Sequence, residues 1–237
     1  MQTISLTHLL YWLIPLLLVG YFYYKWADNK SEILYSTIRM IIQLLLVGYI
    51  LIYIFEEKNI YLGVLILIFM LLISTWISLR NTPDKSFSHF IKIAISLGLS
   101  GVLHLVLIIN FILDFEIFYE PRYVIPIAGM ILANSMNVLS LAIERFDKEL
   151  SRNESFESAR KTSFKSALIP QINSLLAVGL VSLPGMMTGQ ILSGIDPLIA
   201  VRYQIMIMAT ILSSAGISLI IYFLLSKKIN YLRYFLS

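Results

Sequence analysis

The chain contains no cysteine, so neither a disulfide framework nor a thiolate metal site is open to it. Charge is scarce as well. Of its 237 residues 14% are charged and 58% hydrophobic, where a soluble domain carries about 25% charged residues. A chain this short of polar groups cannot cover a water-facing surface. It also lacks any polar stretch long enough for a separate soluble domain, so its energy must come from a partner or an ion gradient. No His-Glu-x-x-His zinc motif and no Gly-x-Ser-x-Gly elbow occurs.

What the chain has in abundance is apolar runs of membrane-crossing length, roughly 17–25 residues each. Seven can be marked off: Leu6–Tyr24, Ile33–Phe55, Ile60–Leu79, Ile91–Leu113, Val124–Ile143, Ile172–Leu192 and Val201–Leu225. The first has no basic leader and no small-residue cleavage site, and it ends in Tyr21, Tyr23, Tyr24 and Trp26. It therefore reads as a span with an interfacial aromatic belt, not a signal peptide. The fold class expected is all-α, a polytopic membrane protein of about seven transmembrane helices forming one domain over residues 1–237.

The basic residues orient it. Lys25 and Lys30 follow the first run, Arg80, Lys85 and Lys92 the third, and Arg145, Lys148, Arg152, Arg160, Lys161 and Lys165 the fifth, while Lys227, Lys228 and Arg233 lie in the tail. The opposite loops hold Lys58, Arg122 and Arg202. The positive-inside rule places the N-terminus outside and the C-terminus in the cytoplasm, in the plasma (inner) membrane. The net charge of +4 is thus spread over separate loops with no single basic patch, which argues against nucleic acid as a partner.

The cytoplasmic loop at 144–171 reads as helical. Ser151-Arg-Asn-Glu154 fits a capping box, Glu157 and Lys161 stand in the favourable i, i+4 order, and Pro170 is expected to stop the helix. Phe156, Ala159, Phe164 and Ala167 form a narrow apolar stripe. Two readings stand: a helix lying on lipid headgroups, or a coupling helix docking Phe156, Glu157, Ala159, Arg160, Lys161 and Phe164 into a groove on a cytoplasmic ATPase.

The sixth run carries Pro184-Gly185-Met186-Met187-Thr188-Gly189-Gln190. Proline forfeits a helical bond and glycine weakens the rest, and such breaks persist in lipid where protein, water or a substrate path satisfies the backbone. It is either a plain kink or a path or gate. Met130, Asn134, Ser135, Asn137 and Ser140 concentrate polarity in the fifth run, and Arg39 and Gln43 stand four apart in the second. Intramembrane polar residues face the bundle interior and mark pathways, although Arg39 is near enough to an end to snorkel. His104 reads as a packing histidine. Methionine thioethers suit soft ions but also fill packed interfaces, so no metal site is assigned.

Rival classes leave weaker traces. Glu56-Glu57 resembles the paired glutamates of CAAX-type membrane proteases, yet Tyr61 stands where those carry arginine. Retinal chemistry needs a lysine deep in the last run, and Lys227 and Lys228 lie beyond it. An ion-coupled secondary transporter and an intramembrane enzyme remain the alternatives.

The run Ile169-Pro-Gln-Ile-Asn173-Ser, continuing through Val181-Ser-Leu-Pro-Gly-Met-Met-Thr-Gly-Gln-Ile-Leu-Ser-Gly-Ile-Asp-Pro197, closely resembles the FetB-type iron-export permeases and their plant aluminium-tolerance relatives. Ile125-Pro-Ile-Ala-Gly-Met130-Ile-Leu-Ala-Asn134-Ser-Met and Arg39-Met-Ile-Ile-Gln43 are similar to two further signatures of that family. The resemblance implies a non-enzymatic permease that binds no cofactor itself. It would pair as a homodimer with a separate ABC ATPase holding ATP and Mg, and export iron, a related metal or a metal-linked solute.

Overall fold

The computed structural model describes residues 5–27, 31–57, 59–80, 82–113 and 119–236, with the side chains of the last helix described as far as Lys227. Lys30 and Lys58 of the charge argument, and the side chains of Lys228 and Arg233, lie outside the described residues. Among the described residues the chain is all helix, apart from one isolated bridge between Val178 and Ser182. Among the described residues six helices are long and apolar enough to cross a membrane. The chain divides into two units, Met1–Glu57 and Lys58–Ser237.

The first unit holds α1 (Leu6–Leu9), a 3₁₀ turn (Leu10–Trp12), α2 (Leu13–Ala27) and α3 (Glu32–Glu57). Ser5 caps α1 by accepting from the His8 amide at 3.2 Å, and the Tyr23 hydroxyl donates to Glu32 at 2.6 Å, joining the end of α2 to the start of α3. No residue of α2 is buried. Helices apolar on every side and exposed on nearly every side belong in lipid.

The second unit contains α4 (Ile60–Ser78), α5 (Phe87–Leu107) running on through a π-helical turn (Ile108–Ile112), α6 (Pro121–Ser151), α7 (Phe156–Ala177), α8 (Gly185–Leu192) and α9 (Pro197–Leu236). Their starts are chemically marked. Asn59, Ser86, Ser155 and Asp196 each accept a backbone amide of the first turn, and α6 opens on Pro121, whose missing N–H costs nothing at that position.

Helices α5, α6 and α9 form the centre. Where they cross, the side chains are small: Ser96, Ser100 and Gly101 on α5, Ser135 and Ala142 on α6, Ser214, Ala215 and Ser218 on α9, all buried. The Ser100 hydroxyl donates to the Ser214 carbonyl at 2.8 Å and Ser135 donates to the Ser214 hydroxyl at 3.3 Å. His104 donates from Nδ1 to the Ser100 carbonyl at 2.7 Å and sets Nε2 against the Ser213 hydroxyl at 2.9 Å. Both ring nitrogens are occupied, so His104 ties α5 to α9 as a packing residue. Small residues and interhelical hydrogen bonds are what hold helices together where the solvent is as apolar as the core.

Three expectations need correcting. Ser151 is not a helix start: it is the last residue of α6, and Ser155 caps α7 by accepting the Ser158 amide at 3.2 Å. The acidic partner that decided for Ser151 cannot reach, because Asn153 turns the chain with φ of 62° between the helices. Pro170 does not end the helix, since α7 continues to Ala177. Pro170 is exposed, and just beyond it the Gln171 amide bonds Asn134 of α6, holding the chain in place despite the lost helical bond. Finally, the sixth apolar run is not one helix broken at Pro184. Its helix ends at Ala177, a turn follows, and Pro184 is the residue that starts α8.

Three outcomes follow for thermal unfolding in detergent. Ser155→Ala should cost about 1 kcal/mol and Ser151→Ala less than about 0.5 kcal/mol. Ala215→Leu, which forces bulk into the α5–α6–α9 crossing, should cost about 1–3 kcal/mol.

Candidate functional site

Two regions of the second unit gather the expected functional residues. The first is the end where the loop after α4, the α6–α7 turn and the last part of α9 come together. Thr82 donates to Asp147 at 3.0 Å. His89, 3% exposed, lies with Nδ1 at 2.7 Å from the Asp84 carbonyl and Nε2 at 2.9 Å from the Tyr222 hydroxyl. Asp84 accepts the Ser86 amide at 3.0 Å, and that hydrogen bond holds its carboxyl below the usual range. The Phe146 ring stands edge-on to Phe156 and to Phe223, each at 5.3 Å.

This geometry reassigns the stripe on α7. Ala159, Ser163 and Ala167 are fully buried, and Phe156 and Phe164 pack against the chain's own core. Both rings are partly buried, so part of each is spent inside the chain. What α7 presents outward is charge: Glu157, Lys161 and Lys165 are exposed and Arg160 is half-exposed. Glu157 lies 3.6 Å from Lys227 and 3.8 Å from Arg160, exposed pairs worth about 0–1 kcal/mol each. At the end of α6, Lys148 pairs with Glu144 and Arg145 with Glu149, each at 2.6 Å. The result is a basic, ion-paired platform on a rigid aromatic base.

The second region comprises the α6–α7 contact, and α8 where it packs on α9. Asn134 donates to the Met130 carbonyl at 2.8 Å and accepts from the Gln171 amide at 3.3 Å, joining α6 to α7. Asn137 on α6 and Asn173 and Ser174 on α7 are exposed beside this bridge. The turn after α7 is made by the Ala177 carbonyl, which accepts Val181 at 2.8 Å and Ser182 at 3.3 Å, with Gly179 at φ +81°. Leu180 and Val181 at its tip are 89% and 83% exposed.

On α8, Met186 packs with Met130 and Met206 among isoleucines, so these thioethers act as filler. Met187 and Gly189 are half-buried neighbours, and Thr188 donates to the Leu183 carbonyl at 3.4 Å. The side-chain carbonyls of Gln190 on α8 and Gln204 on α9 are buried and accept no hydrogen bond. A buried polar group left so costs about 1–3 kcal/mol, and α8 packs on α9. Among the described residues no cluster of three His, Cys, Asp or Glu could hold a metal. Arg39, half-buried, and Gln43, exposed, lie on α3 in the first unit.

Sequence reasoning missed Gln171, Gln204, His89 and Tyr222. The two glutamines carried a usable signal, an uncharged amide within an apolar run; the His89–Tyr222 contact joins positions too far apart in sequence to suggest each other.

The glycines of α8 are open to a direct check. No atom lies within 4 Å of a Cβ added at Gly185 or Gly189, and neither has positive φ, whereas Gly179 does. Gly185→Ala and Gly189→Ala should leave the stability to thermal unfolding unchanged or raise it, by up to about 1 kcal/mol each. Gly179→Ala should lower that stability by about 1 kcal/mol or more.

Over residues 6–156 and 150–231 the chain matches the Uncharacterised protein family UPF0014. It is 35% identical over 226 residues to a UPF0014 membrane protein of Synechocystis, covering 88% of this chain and 87% of the relative. To the Escherichia coli protein named probable iron export permease protein FetB it is 37% identical over 210 residues, 81% of this chain and 78% of that one. The Arabidopsis thaliana protein ALUMINUM SENSITIVE 3 is 28% identical over 222 residues, 86% of this chain and 79% of the plant protein. No solved structure gives a significant match. With a family match along nearly its whole length, membrane-length helices, and relatives named as membrane proteins and a permease, the chain belongs to the UPF0014 family of membrane proteins.

Proposed function

We propose that the chain is the membrane-spanning permease of an ATP-driven exporter of iron, or of a related metal or metal-linked solute, working as a homodimer with a separate ATPase that carries ATP and Mg. The observation that carries this reading is the polar bridge between α6 and α7, where Asn134 and Gln171 join and Asn137 lies exposed one turn along. On α8 and α9 the side-chain carbonyls of Gln190 and Gln204 are buried without a hydrogen-bond partner. Polar groups at membrane depth are costly unless they line a path or meet a partner. The similarity to a protein named as an iron export permease supplies the substrate class, with hard amide oxygens and soft thioether sulfur both near the bridge.

In this reading the bridge lines half a path, and a second copy of the chain closes it. The platform of Arg145, Lys148, Arg160, Lys161 and Lys165 lies on the cytoplasmic side and receives the ATPase through complementary acidic groups. Phe156, Ala159 and Phe164 work beneath it, transmitting displacement of α7 to α6 and α9 through the rings of Phe146 and Phe223. The exposed turn at Leu180 and Val181, with Pro184 starting a fresh helix, lets α8 move against α7 without breaking helical bonds.

Two outcomes test it. ATP-dependent uptake of radioactive iron into inverted vesicles should fall at least tenfold in Gln190→Leu and Gln171→Leu, with the melting temperature held; unchanged uptake removes these glutamines from the path. Lys161→Glu with Lys165→Glu should weaken ATPase binding by tenfold or more in a folded, inserted chain, because rim charges set docking. Full binding in that variant contradicts the platform.

A further inference from the structure

Between α4, α5 and α6 lies an elongated groove of about 390 Å³, within the range of about 300–1,000 Å³ usual for ligand pockets. Its walls are aliphatic, with Val64, Ile68 and Leu71 on one side and Val102, Leu105 and Ile131 on the other. Gly98, Gly101 and Ala128 leave the room. On α4 the lining runs from Ile60 to Leu71, about 17 Å at the helical rise of 1.5 Å per residue. That is close to one leaflet of a hydrocarbon core about 30 Å thick. Ile109 and Val124 line the same end as Ile60, and Leu97 and Leu132 the same end as Leu71, as the alternating direction of the three helices requires.

The outer end of the groove is polar at one point. Tyr119 lies across Gly63, where a Cβ would overlap its ring and hydroxyl, and that hydroxyl is buried with no hydrogen-bond partner. Burial, with Glu120 beside it, raises the Tyr119 pKa, so the hydroxyl stays protonated and a donor. The rim is open, Val64 being 48% and Val102 61% exposed. Since these helices are of membrane length, the medium at the rim is hydrocarbon.

We propose that this groove is a binding site for one acyl chain of a membrane phospholipid in the leaflet bordered by Tyr119, whose hydroxyl donates to the lipid's ester carbonyl. Water does not suit the groove, because a buried water needs two to four polar partners and one is present. Another helix does not fit either: α4 packs directly on both α5 and α6, and a helix needs about 8–10 Å between axes. A single flexible chain about one leaflet long, with an acceptor at its end, matches the length, the lining and the orphaned donor together.

The test uses the full chain in vesicles of phosphatidylethanolamine and phosphatidylglycerol, doped with a phosphatidylcholine carrying a diazirine midway along one acyl chain. After photolysis, labelling should be saturable and several-fold higher on Val64, Ile68 and Val102 than on Leu65 and Leu99, which are equally exposed but outside the groove. Val102→Trp should plug the groove and abolish the saturable component, while Leu99→Trp should leave it, and Tyr119→Phe should weaken it several-fold, all with unchanged melting temperature. Uniform labelling, saturable labelling that survives Val102→Trp, or labelling of Val64, Ile68 and Val102 no higher than of Leu65 and Leu99 would each overturn the site.

Discussion

An apolar side chain gains nothing by leaving lipid for the interior of a membrane protein, so the helices here need another reason to stay together. They find it where α5, α6 and α9 meet at serine, glycine and alanine, close enough for the Ser100 hydroxyl to donate to the Ser214 carbonyl at 2.8 Å. His104 adds a second link at the same level. Both regions of interest rest on this crossing. It fixes α6 as the common wall, packed against α7 along the polar bridge and against α4 along the groove.

The same constraint explains which polar groups stand out. Most buried hydroxyls of the second unit bond a carbonyl of their own helix or a neighbour, as Ser74, Thr75 and Ser78 do along α4. Against that background the Gln190 and Gln204 carbonyls and the Tyr119, Ser163 and Ser226 hydroxyls are exceptions, each buried without a hydrogen-bond partner. In a medium of low dielectric such groups are expensive, and they persist where something outside the chain meets them. The glutamines belong to the transport reading, and the tyrosine to the lipid reading.

Much of the architecture was legible because period and length carry the membrane signal. The apolar runs at Ile33–Phe55 and Ile60–Leu79 correspond closely to α3 and α4. Where prediction failed, local chemistry was outvoted by packing. Ser151 and Glu154 satisfy the spacing of a capping box, but Phe146 and Glu149 are buried one turn earlier and draw α6 onward to Ser151. Pro170 is a helix breaker by its own geometry, yet α7 runs through it to Ala177, with the Gln171 amide bonded to Asn134 just beyond it. The stripe of Phe156, Ala159 and Phe164 was read correctly as a face, but periodicity cannot say whether a face meets the chain's own core or another protein. The bridge between Asn134 and Gln171 was invisible for a different reason, since it joins helices 37 positions apart.

The polar bridge, the charged platform and family membership all support the proposal that this chain conducts its solute under the drive of a separate ATPase. Purification of the tagged chain from its own cells in mild detergent, with identification of what stays bound, bears on that claim most directly. The account predicts a stoichiometric nucleotide-binding subunit whose ATP hydrolysis responds to iron. A chain that purifies without such a subunit across several detergents would contradict it and favour an ion-coupled carrier.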